Sequence, residues 1–525
     1  MSDNQAVATK VLRELARLGV REFAVAAGAR NAPLLAPLLA SRGITVRHFF
    51  DERSAAFFAL GRIMVDRSPV ALITTSGTAV GELLPAVMEA HYQGLPLVLV
   101  TADRPKRFRG SGAPQAVDQP GIFGCYAEST LDLDAESLST AWPAHIEKKP
   151  LHVNVCFDEP LDCIAEGIEF GTNKPSAPPN ETSSGSGARS ILESWLETRE
   201  GLVVLAGGIH PECVESVAKF LRAVNAPVIA EATSNLHGRS ELHDLLVTGG
   251  DRALSQMKIR RVLRIGSVPS GRWWRDLEQH PEIAVLNICD PAFPGLARTE
   301  NVETTGLDLL SYECDHCVGA RVTSVSAALR TQFETITSSS PKSELAWIRN
   351  LSRAIPAGAR VFLGNSLPIR EWNLAADPAR PGTAFFANRG ANGIDGIVST
   401  FLGVSATTHE SWLIIGDLSA LYDLSAPWIL QQLPAGNRRI VVINNGGGKI
   451  FSRVDSLRSL DEQTRAVIEN RHSLSFESWA QMWGMSYTLC TSANQLPALP
   501  DGNSVIEIHP DTAQTELFWQ HWNAR

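Results

Sequence analysis

The chain has 525 residues, too many for one hydrophobic core and enough for about three domains. Hydrophobic residues make up 44% and charged residues 20%, the balance of a globular enzyme rather than of a disordered or fibrous chain. A net charge of −9 argues against general nucleic-acid binding, which needs a positive field to displace counterions, but leaves room for small anionic ligands gripped by a local arginine cluster.

In chain order, Gln5 to Leu18 carries helical spacing and reads as an amphipathic helix, not a signal peptide with an apolar h-region. REFAVAAG, VALITTSGT and PLVLVTAD then read as buried strands running into polar turns, with helix-like stretches between them. Continuous Val, Leu and Ile of this kind belong to parallel sheets covered on both faces. This first unit occupies residues 1–171. Residues 172–190, TNKPSAPPNETSSGSGARS, crowd proline, serine and glycine and read as a linker.

A second α/β unit, residues 191–337, follows with GLVVLAGG, APVIAEA, RRVLRIGS and IAVLNICD. It ends beyond the CDHC segment, whose Cys314 and Cys317 read as two reduced thiols, since a structural zinc ion wants four ligands. SSSPKSE marks a weaker boundary into a third unit, residues 338–525, with strands in ARVFLGNS, AFFANRG, SWLIIGDLS, RRIVVINNGG and NSVIEIHP. The expected fold is α/β: three doubly wound parallel-sheet domains in series, with ligands beyond the carboxyl ends of the strands. No run of about 18 uncharged apolar residues is present, so no membrane span is expected and a cytoplasmic location is.

The chemistry concentrates in the third unit. Gly416-Asp417 follows one apolar strand and Asn444-Asn445 the next, with Asp417 and Asn445 28 positions apart. A hard cation such as Mg²⁺ takes a few protein oxygens at such adjacent strand ends and completes its octahedron with phosphate oxygens and water. Gly416 and the Gly446–Gly448 run allow backbone to approach a diphosphate closely. Either piece alone is common in turns. Together they resemble the thiamine-diphosphate fingerprint, usually GDG…NN, with Leu418 in place of its second glycine. That resemblance implies Asp417, Asn445 and the carbonyl of Gly447 as ligands of Mg²⁺, for which Mn²⁺ can substitute.

Thiamine diphosphate also needs an acid to protonate its aminopyrimidine, and that carboxyl must sit in an apolar setting that raises its pKa. Glu52, after His48-Phe49-Phe50 at a strand end and before an apolar stretch, is the candidate. Enzymes of this class draw that glutamate from a partner subunit, which implies a homodimer or larger assembly with active sites at subunit interfaces.

The segments FDERSAAFFALG, TSGTAVGELLPA, TADRP, APQAVDQPGIF, FLGNSLPIR, FANRGANGIDGIVST, GDLSALYDL and NNGGGKIFS, in this order, resemble the 2-succinyl-5-enolpyruvyl-6-hydroxy-3-cyclohexene-1-carboxylate synthase family of menaquinone biosynthesis. The resemblance implies an N-terminal pyrimidine-binding domain, a middle domain and a C-terminal diphosphate-binding domain. It implies decarboxylation of 2-oxoglutarate and addition of the succinyl-semialdehyde carbanion to isochorismate. Both substrates are multiply anionic, and arginine's planar fork suits carboxylates. By the family pattern Ser366 and Arg370 take the succinyl carboxylate, while Arg30, Arg104, Gln115 and Arg389 contact isochorismate. Arg272 in the middle domain is a further candidate for that pocket. Ile394 is the apolar wedge that bends the cofactor, and Leu418, Ser419 and Ile450 complete its contacts.

Several positions depart from the family. Ala27-Gly28-Ala29-Arg30-Asn31 replaces the usual PGSRS, Pro114 stands where an asparagine commonly precedes Gln115, and Cys156 stands where proline is usual. Two of these fall in the expected isochorismate pocket. Two alternatives therefore stand beside this reading: a carboligase or decarboxylase with another donor or acceptor, and a homologue that binds without catalysing. A nicotinamide or flavin oxidoreductase is disfavoured because LAGGIH is not a GxGxxG turn.

Overall fold

The structure, a computed structural model, describes residues 3–524 apart from 147, 162–163, 172–184, 199, 291–292, 307–322, 379–380, 458 and 492–498. Cys314 and Cys317 lie outside the described residues. Three parallel sheets with flanking helices form the frame, as the alternation of apolar runs and helical stretches predicts.

The first sheet comprises β1 (Glu22–Ala26), β2 (Thr45–Phe49), β3 (Val70–Thr74), β4 (Leu97–Asp103), β5 (Ser129–Leu133) and β6 (Leu151–Cys156), in the order β2-β1-β3-β4-β6-β5. Every residue of β3, β4 and β6 is buried, as in a sheet covered on both faces, and the polar Thr101, Asp103, His152 and Asn154 among them hydrogen-bond one another. The second sheet holds β7 (Leu202–Ala206), β8 (Val228–Ala230), β9 (Arg261–Ile265), β10 (Ala284–Ile288) and β11 (Val302–Thr305), ordered β11-β10-β9-β7-β8. The third holds β12 (Arg360–Leu363), β13 (Ala384–Phe386), β14 (Glu410–Gly416), β15 (Asn437–Ile443), β16 (Ser486–Cys490) and β17 (Ser504–Ile508), ordered β13-β12-β14-β15-β17-β16.

The helix Gly185–Leu196 begins inside the proline- and serine-rich stretch 172–190, so that stretch is not linker throughout. Its final residues, GARS, lead into ILESWL, whose Leu192, Trp195 and Leu196 are buried and fix the helix on the second sheet's core.

By internal contacts the chain divides into two compact units. One gathers Met1–Asn180 with two later segments, Gly390–Thr407 and Tyr422–Pro434. The other gathers Glu181–Arg389, Thr408–Leu421 and Ala435–Arg525 and so carries the second and third sheets. Within the first unit the helix Glu52–Asp66 packs against the helix Ile397–Ser405 at glycine crossings. A Cβ on Gly61 would stand 2.0 Å from the Thr400 carbonyl oxygen, and one on Gly403 would stand 2.2 Å from that of Phe58. Backbone-to-backbone approach explains why residues far along the chain join the N-terminal unit.

In the third sheet the strand order reverses between β12 and β14. Crevices outside such switch points are where open α/β sheets bind ligands. GNS, residues 364–366, leaves β12 there, and Asp417 leaves β14.

Candidate functional site

Asp417 begins a short helix directly after β14 and is only 2% exposed. Its Oδ2 accepts the amides of Gly446 at 2.8 Å and Gly447 at 2.9 Å, and its Oδ1 accepts that of Leu418 at 2.6 Å. His472 Nε2 lies 3.3 Å from Oδ2. Burial raises the Asp417 carboxyl above its ordinary range, against the pull of these backbone donors. One carboxylate thus ties the end of β14 to the turn after β15, the pairing that the 28-residue spacing suggested.

The turn itself requires glycine. Gly446 has φ +77° and Gly447 φ +134°, and a Cβ on Gly447 would meet the Glu469 carbonyl oxygen at 2.5 Å. Asn444 holds the turn rather than a ligand: its Nδ2 donates to Glu507 Oε1 at 2.7 Å and to the Leu474 carbonyl at 2.8 Å. Asn445 differs. Its Nδ2 donates to Glu344 Oε1 at 2.5 Å, while its Oδ1 is buried and accepts no hydrogen bond. A buried carbonyl oxygen without a donor is costly unless something electropositive completes it.

These atoms fit a hard cation. Asp417 keeps a lone pair beyond its three N–H partners, Asn445 offers an unmet oxygen, and the Gly447 carbonyl accepts the Lys449 amide at 2.9 Å with a second lone pair to spare. All three donors are oxygens, a set that, completed by phosphate and water, suits a hard cation better than a soft metal. Nothing lies within 4 Å of where a Cβ on Gly416 would project, leaving open space beside the carboxylate. Leu418 is half-buried, Ser419 is 4% exposed, and Ile450 is half-buried in the 3₁₀ turn Lys449–Arg453.

Around Asn445 stands a group that lone residues in the sequence do not announce. Arg453 Nη2 donates to Glu344 Oε2 at 3.2 Å and to Glu371 Oε1 at 2.9 Å, and its guanidinium lies 4.4 Å from the centre of the Trp519 ring. Both carboxyls are 2% exposed, and burial followed by repulsion from Glu344 raises that of Glu371 well above the usual range. Arg453 lies 109 positions from Glu344 and 82 from Glu371, beyond any local spacing rule.

The same unit brings Ser366, Arg370 and Arg389 together. Arg370 Nη1 donates to the Ser366 carbonyl at 2.6 Å, and Arg389 Nη1 donates to Asn365 Oδ1 at 3.1 Å. Arg370 is exposed, yet desolvation by the groups packed around it and then the like charge of Arg389 lower its pKa. Gathered cations of this kind suit an anion. Ser366 has φ +72°, an unusual conformation for a residue with a side chain and one that clusters at ligand sites. Arg272 is largely exposed, and its guanidinium lies 3.7 Å from Asp276.

In the other unit, Glu52 is the first residue of its helix, just after β2. Asp51 caps that helix by accepting the Ser54 amide at 2.9 Å and is also hydrogen-bonded by the Ser425 hydroxyl. Burial, with smaller help from Asp51 and Glu82, raises the Glu52 carboxyl, the environment an acid needs to hold its proton. Arg30 is 8% exposed, donates to the Phe157 carbonyl at 3.1 Å and pairs with Glu159 at 3.1 Å. Asn31 bridges the Gly28 amide and the Ala26 carbonyl, so it shapes the loop and is not free for a ligand. Arg104 donates from Nε to the Pro114 carbonyl at 2.8 Å, a contact that proline supplies as well as asparagine does. Gln115 has φ +57°. Ile394 lies in a loop latched by Glu89, whose carboxylate accepts the amides of Gly390 at 2.7 Å and Ala391 at 2.8 Å. Glu89, a single acidic residue in an ordinary helix, carried no signal in the sequence.

Residues 5–122 match the family model described as "Thiamine pyrophosphate enzyme, N-terminal TPP binding domain". The chain is 41% identical to the 2-succinyl-5-enolpyruvyl-6-hydroxy-3-cyclohexene-1-carboxylate synthase of Bdellovibrio bacteriovorus, with 99% of each chain covered. It is 40% identical to the protein of the same name from Akkermansia muciniphila, with 95% of each covered. Identity to that from Geobacillus kaustophilus is 32%, over 90% of this chain and 88% of the other. Near-complete coverage at this identity, joined to the Asp417–Asn445 arrangement, makes the chain a member of the 2-succinyl-5-enolpyruvyl-6-hydroxy-3-cyclohexene-1-carboxylate synthase family of thiamine-diphosphate enzymes.

Proposed function

We propose that this chain is a thiamine-diphosphate- and Mg²⁺-dependent transferase that decarboxylates 2-oxoglutarate and transfers the remaining four-carbon unit to isochorismate, a step of menaquinone biosynthesis. The observation that carries the cofactor reading is the buried, donorless Oδ1 of Asn445 beside the turn whose amides bind Asp417. Asp417, Asn445 and Gly447 hold the cation, and Glu52 keeps a proton for the aminopyrimidine. When bound, the cofactor supplies the electron sink that decarboxylation of a 2-oxo acid requires. Arg370 and Ser366 orient the distal carboxylate of 2-oxoglutarate. Arg389, Arg30, Arg104 and Gln115 hold the carboxylates and hydroxyl of isochorismate, with Arg272 at the margin.

The chain works as a homodimer or larger assembly with active sites at subunit interfaces, in the cytoplasm. No described helix is long and apolar enough to cross a membrane. A panel of 2-oxo acids tests the donor assignment: CO₂ release should require thiamine diphosphate and Mg²⁺ and favour 2-oxoglutarate. Preference for a 2-oxo acid without a distal carboxylate would overturn it.

A further inference from the structure

We propose that Glu344 is a positioning residue for the cation site, fixing the Asn445 carboxamide so that its oxygen, not its nitrogen, faces the metal. This rests on the cofactor reading above. A carboxamide has two nearly isosteric ends, and only the oxygen can ligate a cation. Asn445 therefore needs something to decide which way it points. Glu344 decides it: an acceptor 2.5 Å from Nδ2 selects the N–H end, and Oδ1 is left buried with no hydrogen-bond donor.

Glu344 is itself held from three directions. Its amide donates to Thr515 Oγ1 at 3.1 Å, the preceding Ser343 caps the helix Glu344–Ala354, and its Oε2 accepts Arg453 Nη2 at 3.2 Å. Arg453 is in turn fixed by Glu371 at 2.9 Å and by the Trp519 face. This is the arrangement of an outer partner that orients a metal ligand, and such partners matter nearly as much as the ligands.

The test is calorimetric titration of the apo-protein with thiamine diphosphate over a series of Mg²⁺ concentrations. Glu344→Gln can present either an acceptor or a donor to Asn445, so the Mg²⁺ needed for half-saturation should rise roughly 10- to 100-fold. Asn445→Asp places a second carboxylate against Glu344 and should also weaken binding. In the double variant, Glu344→Gln with Asn445→Asp, the introduced carboxamide donates to the introduced carboxylate while an oxygen stays on the metal. Its Mg²⁺ requirement should return to within about threefold of wild type, because substitutions of contacting residues are not additive. Thermal unfolding and near-UV circular dichroism report whether each variant folds. If Glu344→Gln does not, Glu344→Asp keeps the charge for Arg453 but withdraws it from Asn445, and the same rise is expected. An unchanged Mg²⁺ requirement in the folded Glu344 variant, or additive losses in the double variant, overturns the proposal. Failure of the wild-type protein to bind thiamine diphosphate with Mg²⁺ overturns the cofactor reading as well.

Discussion

Asp417 should carry two separable duties, and two substitutions pull them apart. Its carboxylate accepts three buried amides, from Leu418, Gly446 and Gly447. A buried hydrogen bond to a charged group contributes about 1.5–3 kcal/mol. Asp417→Ala removes the acceptors of all three bonds, a simple sum of about 4.5–9 kcal/mol, reduced by water entering the gap. Asp417→Asn keeps an oxygen for the two glycines and turns its NH₂ toward Leu418, losing about one such bond. Part of that loss is offset, because burial of the charged form is unfavourable in wild type. Apo-Asp417→Asn should therefore unfold in denaturant close to wild type, and apo-Asp417→Ala markedly earlier. Both should lose Mg²⁺-dependent binding of thiamine diphosphate by more than about 100-fold, since even outer partners of metal ligands cost roughly 10- to 100-fold. Calorimetry giving wild-type cofactor affinity for Asp417→Asn would remove Asp417 as the anchor. Equal stability of Asp417→Ala and wild type would refute the hydrogen-bond account of the turn.

Three further outcomes follow from the same geometry. Glu52→Gln, nearly isosteric, should leave the fold intact and lower turnover roughly 10²- to 10⁴-fold, and turnover within about threefold of wild type would sink its role as acid. Asp423 is fully buried and its carboxyl is pushed up to about 6 by burial, although Ser399 donates to it from both backbone and hydroxyl. Between about pH 4 and pH 6 the native state holds a proton that the unfolded chain has released, so stability falls as pH rises through that window, by up to about 3 kcal/mol. Asp423→Asn should flatten that slope in denaturation measured from about pH 4 to about pH 7; an unchanged slope would assign it elsewhere. Arg370→Ala should impair use of 2-oxoglutarate about 30- to several-thousand-fold, the scale of truncating one partner of a desolvated charge pair, and an effect confined to the acceptor's constants would reverse the two ends of the site.

The frame was legible because parallel strands buried on both faces leave continuous apolar runs, and VALI, LVLV and WLII, within strands 70–74, 97–103 and 410–416, are such runs. That Asp417 meets the turn after β15 was legible because the ends of adjacent parallel strands keep a regular spacing in the sequence. Glu52 was singled out only in company with that motif, and the burial that raises its carboxyl is a matter of packing that no local pattern announces. What escaped is what depends on distant contact. Glu89 latches Gly390 and Ala391 from 301 and 302 positions away, and Asp423 caps the helix Ile397–Ser405 by accepting the Ser399 amide. Gly61 and Gly403 lie inside helices, where their missing side chains let two helix backbones touch and draw Gly390–Thr407 into the N-terminal unit. Arg272 was singled out by the family pattern alone, and in the structure its side chain is largely exposed beside Asp276.

Ala29 and Pro114 stand where the family pattern has polar residues, each directly before a residue assigned to the acceptor, Arg30 and Gln115. A neutral hydrogen bond contributes about 0.5–1.5 kcal/mol against about 1.5–3 kcal/mol for one to a charged group, so the retained arginines should outweigh the two losses. The Pro114 carbonyl still braces Arg104. The most direct test is product formation by the purified protein with thiamine diphosphate, Mg²⁺ and 2-oxoglutarate, offered isochorismate, chorismate or simple aldehydes. An adduct with isochorismate in preference to the others is expected; efficient turnover of an aldehyde with no isochorismate adduct would contradict the acceptor assignment.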